Sequence, residues 1–350
     1  MPKRSVDLAS DGLARNYGCL VAGLSALTLV CFIGSLLVGR MNISVVELLG
    51  MTWSWFNGEP MEAEGVSWLV FSQVRFPRCI LAILVGGSLA LSGAVYQGLF
   101  RNPLVSPNIL GVSAGCTLGA ALGLILPGLG FGMVRGLAFV LGLGAVFAAL
   151  ALARLVAVRS VIVLVLAGLV ITSVLNALLM IIKTQADPYS QLPAIVFWIM
   201  GSLHRSSWQD LYWALPLMGG GYLFFHAFRF RLNVLSLGDD QARSLGTNPL
   251  LWRVSFICVS SLMVAFAVST CGQIAWLGLV APHMARTLVG PNHERMIPVT
   301  ALLGALFLLL ADGLARTLTA AELPVSIITS LTGGPFFAYL LYKNRGSGWT

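Results

Sequence analysis

An all-α bundle of about ten membrane-spanning helices is the fold this sequence predicts, and three observations carry that expectation. Apolar residues make up 57% of the chain and charged residues only 10%, against roughly 25% charged in a soluble domain. Uncharged runs near the length of about 20 residues that a helix needs to cross a bilayer recur along nearly the whole chain. These runs lack the two-residue alternation of barrel strands, and backbone groups in lipid must be bonded within their own segment.

The uncharged runs place the spans near 18–38, 79–100, 109–126, 136–153, 160–182, 211–228, 296–311 and 323–342. The stretch 254–285 carries no charge for 32 residues, too long for one span even with tilt. Breaks at Cys271-Gly-Gln273 and Ala281-Pro-His283 divide it into a full helix and a shorter one, giving ten spans in all. The first run is too long for a signal-peptide core, and Gly39-Arg-Met is a poor cleavage site, so it is read as a retained helix. Segments 40–68 and 184–210 are the longest loops on one side, with a short interfacial helix expected at 194–203. Residues 1–350 form a single transmembrane unit.

An even number of spans leaves both termini on one side. With the termini inside, fourteen Lys and Arg fall in inner segments and seven in outer ones, the inward bias of membrane proteins. That bias also accounts for the net charge of +8 without invoking nucleic acid. The six cysteines lie in or beside apolar runs without CxxC spacing, which reads as small buried residues and gives no metal site. None of the three lysines follows a glycine, so no phosphate loop exists and ATP hydrolysis by this chain is not expected.

Three features carry chemistry. Arg75 and Arg78 lie three apart on one helical face beside Pro77, and Arg316 follows the ninth span; snorkelling arginines at a lipid interface are the common alternative. In Arg231–Arg253, Asp239 and Asp240 suit a helix start and Gly246 a left-handed stop, with Thr247-Asn-Pro turning into a second short helix. Asp312 is the one acid inside a span, a default functional candidate; helix capping or pairing with Arg316 is favoured over proton coupling. An ion-driven secondary carrier would need several such groups in broken helices. An integral-membrane enzyme would need clustered His, Asp or Glu.

The stretch Gln73-Val-Arg-Phe-Pro-Arg78, the elbow Gly98-Leu-Phe-Arg-Asn-Pro-Leu-Val-Ser-Pro-Asn-Ile-Leu-Gly111, Ala242-Arg-x-Leu-Gly246, Gly278-Leu-x-x-Pro-His283 and Ala311-Asp-x-x-Ala-Arg316 together resemble the FecCD/vitamin B12-permease family over about residues 17–343. The resemblance implies the type II ABC importer fold, working as a homodimer with two ABC ATPase subunits and a periplasmic or lipid-anchored binding protein. It implies a multi-pass location in a bacterial or archaeal inner membrane with cytoplasmic termini. ATP and Mg would sit on the partner ATPase, and this chain would bind no cofactor.

Residue by residue, the resemblance implies ATPase coupling by Asp239, Asp240, Ala242, Arg243, Leu245 and Gly246, within coupling helices at about 232–253. It implies docking of the binding protein's glutamates by Arg75, Arg78 and Arg316. It implies a pore lined by the fifth and tenth helices with an inner gate at Ser160, Val161 and Ile162, and a structural role for His283. It also implies an inverted repeat relating the second to fifth and seventh to tenth helices. The expected cargo is a metal chelate, with ferric siderophore ahead of haem, cobalamin and oxyanions.

Overall fold

The computed structural model describes residues 3–39, 41, 43–57, 65–156, 161–319 and 321–343. Among them are α1 (Lys3–Leu37), α2 (Val45–Asn57), α3 (Gly65–Leu69), α4 (Phe76–Phe100), α5 (Val112–Ile125), α6 (Phe131–Leu155) and α7 (Val161–Gln185). The second half holds α8 (Gln191–Ile199), α9 (Trp208–Leu237), α10 (Asp239–Ser244), α11 (Pro249–Cys271), α12 (Leu277–Val289), α13 (His293–Thr317) and α14 (Val325–Lys343). Six helical units are long and apolar enough to cross a membrane, and α5 and the stretch Val325–Leu340 of α14 are shorter apolar helices. The ten expected spans thus compare with six long apolar helices and two shorter ones among the described residues.

Several boundaries differ from expectation for identifiable reasons. The second span begins at Gly65 and runs through a π-helical turn, Val70–Arg75, into α4. Its arginines do not end it because both find partners inside the protein. Helix α2 was unforeseen, yet its start is a capping box: Ser44 N–H donates to Glu47 Oε2 at 2.8 Å, and Glu47 N–H donates to Ser44 Oγ at 3.2 Å. The short helix after α7 sits at Gln191–Ile199, upstream of its expected place.

The run 254–285 does divide at Gly272, which ends α11 with φ +71°. Pro282, however, lies inside α12 and does not end it. Proline removes one N–H, leaving the carbonyl four residues earlier without its helical donor. That carbonyl, Gly278 O, lies against Gly93 of α4: a Cβ on Gly93 would meet it at 1.9 Å. Gly86 and Gly304 make the same kind of backbone approach between α4 and α13, with 2.4 Å to Gly304 O. Small residues at these crossings let membrane helices touch.

Helix α4 is the hub, packed against α9, α11, α12 and α13. Helices α5, α6 and α7 pack on one another, as do α12, α13 and α14. Helix α4 packs on α12 and α13, while α11 packs on α5 and α6.

Candidate functional site: two charged ends and an open apolar face

At one end of the bundle the chain between α9 and α11 projects as a short helix. Gly238 (φ +120°) precedes α10 and Gly246 (φ +70°) follows it, both conformations that glycine adopts at little cost. The turn closes through Gly246 N–H to Arg243 O and Thr247 N–H to Ala242 O, each at 2.9 Å. Ala242 is fully buried beneath the helix. Asp240 and Arg243 face solvent and stand 3.9 Å apart, too exposed to stabilise much.

Helix α10 is fixed to both neighbours. Asp239 accepts from Arg253 of α11 at 2.6 Å, and that hydrogen bond holds its carboxylate below the ordinary range. Arg231 of α9 donates to Thr247 Oγ1 at 2.8 Å. Phe224 and Phe228 of α9 pack edgewise and tilted against Trp252 and Phe256 of α11, just where α9 bends at Phe228. The expected second short helix does not exist as a separate element. Asn248 caps α11 directly through Leu250 and Leu251 N–H, and Pro249 is its first residue. Leu237, Leu245, Leu250 and Leu251 are all more than half exposed, so apolar side chains flank the charged α10 on an otherwise polar end.

The opposite end has the reverse character. Arg78 is 3% exposed; it donates to Asp312 at 2.8 Å and to Glu322 at 3.0 Å. Asp312 is fully buried and also pairs with Arg316 at 3.2 Å. Arg316 in turn donates to Ser35 Oγ at 2.5 Å and Ser35 O at 3.1 Å. Two cations and two anions thus form a neutral tetrad joining α1, α4, α13 and the loop into α14. Among the described residues Arg75 has no acidic partner; it donates to Leu36 O at 2.7 Å, Leu37 O at 3.1 Å and Met41 O. These include the last carbonyls of α1, where orphan acceptors and the negative helix end welcome a cation.

The expectation of an open electropositive rim at Arg75, Arg78 and Arg316 is therefore corrected: all three side chains are buried and bonded to groups of the chain itself. Sequence reading missed Glu322 and Ser35 as partners. The signal for Glu322 was its place six residues beyond Arg316, directly before Leu323-Pro324. Asp312 does pair with Arg316, as expected. Beside the tetrad, Arg135 binds the Asp210 carboxylate within the Ser207–Asp210 capping box of α9. Arg205 stacks on Phe131 at 3.8 Å and donates to His204 at 3.1 Å. Burial, reinforced by Arg205, pushes the His204 imidazole below its usual value.

Between the ends, α7 turns an apolar face outward: Leu166, Leu169, Val170, Val174, Met180 and Ile181 are each more than half exposed. Of the gate residues, Val161 starts α7 half-buried, Ile162 is 69% exposed, and Ser160 lies outside the described residues. His283 is buried on α12 with its ring 6.4 Å from that of Phe337 on α14, a packing position. No cluster of three metal-ligating side chains occurs among the described residues.

The model of the FecCD transport family matches residues 27–343. The chain belongs to the FecCD transport family. It is a permease of an ATP-binding-cassette importer that passes through the membrane several times. It is 38% identical to the molybdate import system permease protein of Haemophilus influenzae, over 95% of this chain and 98% of that one. It is 43% identical to the probable iron chelatin transport system permease protein of Helicobacter pylori, over 79% and 84% respectively. A solved structure described as an inward-facing conformation of a putative metal-chelate type ABC transporter superposes with a TM-score of 0.83 at 36% identity, covering 93% of this chain and 99% of that chain.

Proposed function

We propose that this FecCD permease works as a homodimer with two separate ABC ATPase subunits and a binding protein, importing a metal chelate, with ferric siderophore as the leading cargo. The observation that carries the coupling is α10. It is a charged helix flanked by exposed leucines and braced to both α9 and α11, so a force on it reaches two spanning helices. Asp239 and Ala242 anchor it, while Asp240, Arg243, Leu245 and Gly246 present its outer surface to the ATPase, where ATP and Mg would bind. The open apolar face of α7 suits a second copy of the chain across a shared pore, with Val161 and Ile162 at its inner mouth. Both termini would then be cytoplasmic, on the α10 side.

Docking of the binding protein falls to the opposite end. Engagement of Arg78 or Arg316 by a partner's carboxylate would require the tetrad to open, and Glu322, 29% exposed, is the member solvent reaches. The iron chelatin relative supports a chelate cargo. The molybdate relative, matched over nearly its whole length, favours a second reading in which the cargo is an oxyanion.

Reconstitution decides among these. The chain, its ATPase and its binding protein in vesicles should take up a ferric siderophore when ATP is supplied on the ATPase side. Uptake of molybdate and not the chelate would favour the second reading. Uptake driven by a pH gradient without nucleotide, and abolished by Asp312→Asn, would replace the importer with an ion-coupled carrier.

A further inference from the structure

A cavity of about 340 Å³ opens between α1, α4, α9 and α13, well away from α10 and the tetrad. Val21, Gly87, Gly219, Tyr222, Pro298 and Ala301 are among its walls, so its surface is almost wholly apolar. Room is left at Gly219, where a Cβ would meet nothing within 4 Å. A lined apolar groove on the flank of a membrane bundle faces hydrocarbon chains.

Three of its helices lead from the groove in the same direction to a polar cluster. One turn back along α1 from Val21 is Tyr17, and one turn back along α13 from Pro298 is Arg295. Forward along α9 from Tyr222 come His226 and then Arg229. Tyr17 ties two of these helices together, its Oη donating to the main-chain carbonyl of Arg295 at 3.4 Å. Arg229 Nη1 is 3.2 Å from the His226 ring, which stacks on Tyr222 with centroids 5.7 Å apart.

The cluster is cationic. Arg229 and Arg295 are half-buried, and neither has an acidic partner within 4 Å among the described residues. It lies at the α10 end, because the next turn of α9 contacts the start of α13: His293 N–H donates to Asn233 Oδ1 at 2.8 Å. Two arginines, two phenols and an imidazole at the head of an apolar slot match the two halves of one kind of molecule. Basic pockets between spanning helices favour anionic headgroups. Snorkelling alone would explain the arginines, but not a groove that ends at them.

We infer that this groove seats an acyl chain of an anionic phospholipid, with the lipid phosphate held by Arg229 and Arg295 and by the Tyr222 hydroxyl. The full chain in detergent, titrated with phosphatidylglycerol or phosphatidylcholine and read by native mass spectrometry, tests this. Phosphatidylglycerol should be retained in preference to phosphatidylcholine. Each of R229Q and R295Q should weaken phosphatidylglycerol binding about fivefold, and the pair roughly thirtyfold, with phosphatidylcholine unchanged. G219L fills the groove, leaves every charge in place, and should lower retention of phosphatidylglycerol as well. The single arginine variants keep the test open if the double variant unfolds in a thermal melt. Equal retention of the two lipids, an unchanged preference in both arginine variants, or a folded G219L that binds as before would each overturn the inference.

Discussion

The two charged ends of this permease look alike in sequence and differ completely in what their charges do. Asp240 and Arg243 on α10 are almost free in solvent, whereas Arg78, Asp312 and Arg316 at the far end are at most 6% exposed. A solvated ion pair contributes little. A buried pair whose partner is removed leaves a charge stranded at a cost of several kcal/mol. The first end is therefore built to be touched and the second to hold four segments together. Charge in a sequence marks an end of a membrane bundle without saying which of these it is.

Replacing Asp312 gives the sharpest contrast. Asp312→Ala should strand Arg316, leave Arg78 with Glu322 alone, and cost about 3–5 kcal/mol, read as a large drop in the thermal unfolding midpoint in detergent. Adding Arg78→Met should recover only part of that loss, since buried Arg316 remains without its acid. If Asp312→Ala melts like the parent, the tetrad is not what joins α4 to α13.

A second test addresses the α10 end. Gly246→Val forces a β-branched residue into a left-handed turn, costing about 1–2 kcal/mol locally, while a Cβ there would meet no neighbouring atom. The bundle should still fold, and ATP-driven uptake should fall. Full uptake by a folded variant would remove α10 from the coupling proposal.

Charge reversal at Arg243 is the smaller companion. Arg243→Glu should change stability by less than about 1 kcal/mol, in contrast to Asp312→Ala, while weakening ATPase association at low salt more than at high salt. An equal stability loss at both positions would erase the distinction between the two ends.

The smallest effect concerns pH. His204 has its folded value lowered, so the folded state favours the neutral ring. The stability this provides is complete above the unfolded value of about 6.5 and declines as pH falls from there through the folded value. His204→Gln should flatten that part of the stability–pH curve measured by thermal melts. A curve of unchanged slope would show that the group does not contribute.

Much of the bundle was legible because the bilayer imposes a rule that a sequence must obey locally. Uncharged runs placed α6, α7 and α11, and Gly272 marked the break before α12. Capping chemistry at Ser44-Val-Val-Glu47 is equally local, and it starts α2 without the long uncharged run that marks a span. Gly246 could be assigned a left-handed turn from its neighbours alone, and the structure gives it φ +70°.

Partnership was another matter. Arg78 meets Asp312 across 234 residues and Glu322 across 244, separations at which no periodicity or spacing reports. Whether a guanidinium reaches solvent or a buried carboxylate depends on which helices pack beside it, and the crossings of α4 with α12 and α13 decide that. The same packing carries α4 past Arg75 and Arg78, places Gly278 O against Gly93, and brings Tyr17, Arg229 and Arg295 to one groove. By itself the sequence determined the class, the spans and the local turns, because hydropathy and backbone preference act over a few residues. Only the tertiary structure decided which charges are spent inside and which are offered outside, because burial and ion pairing belong to neighbours that the chain brings together from far apart.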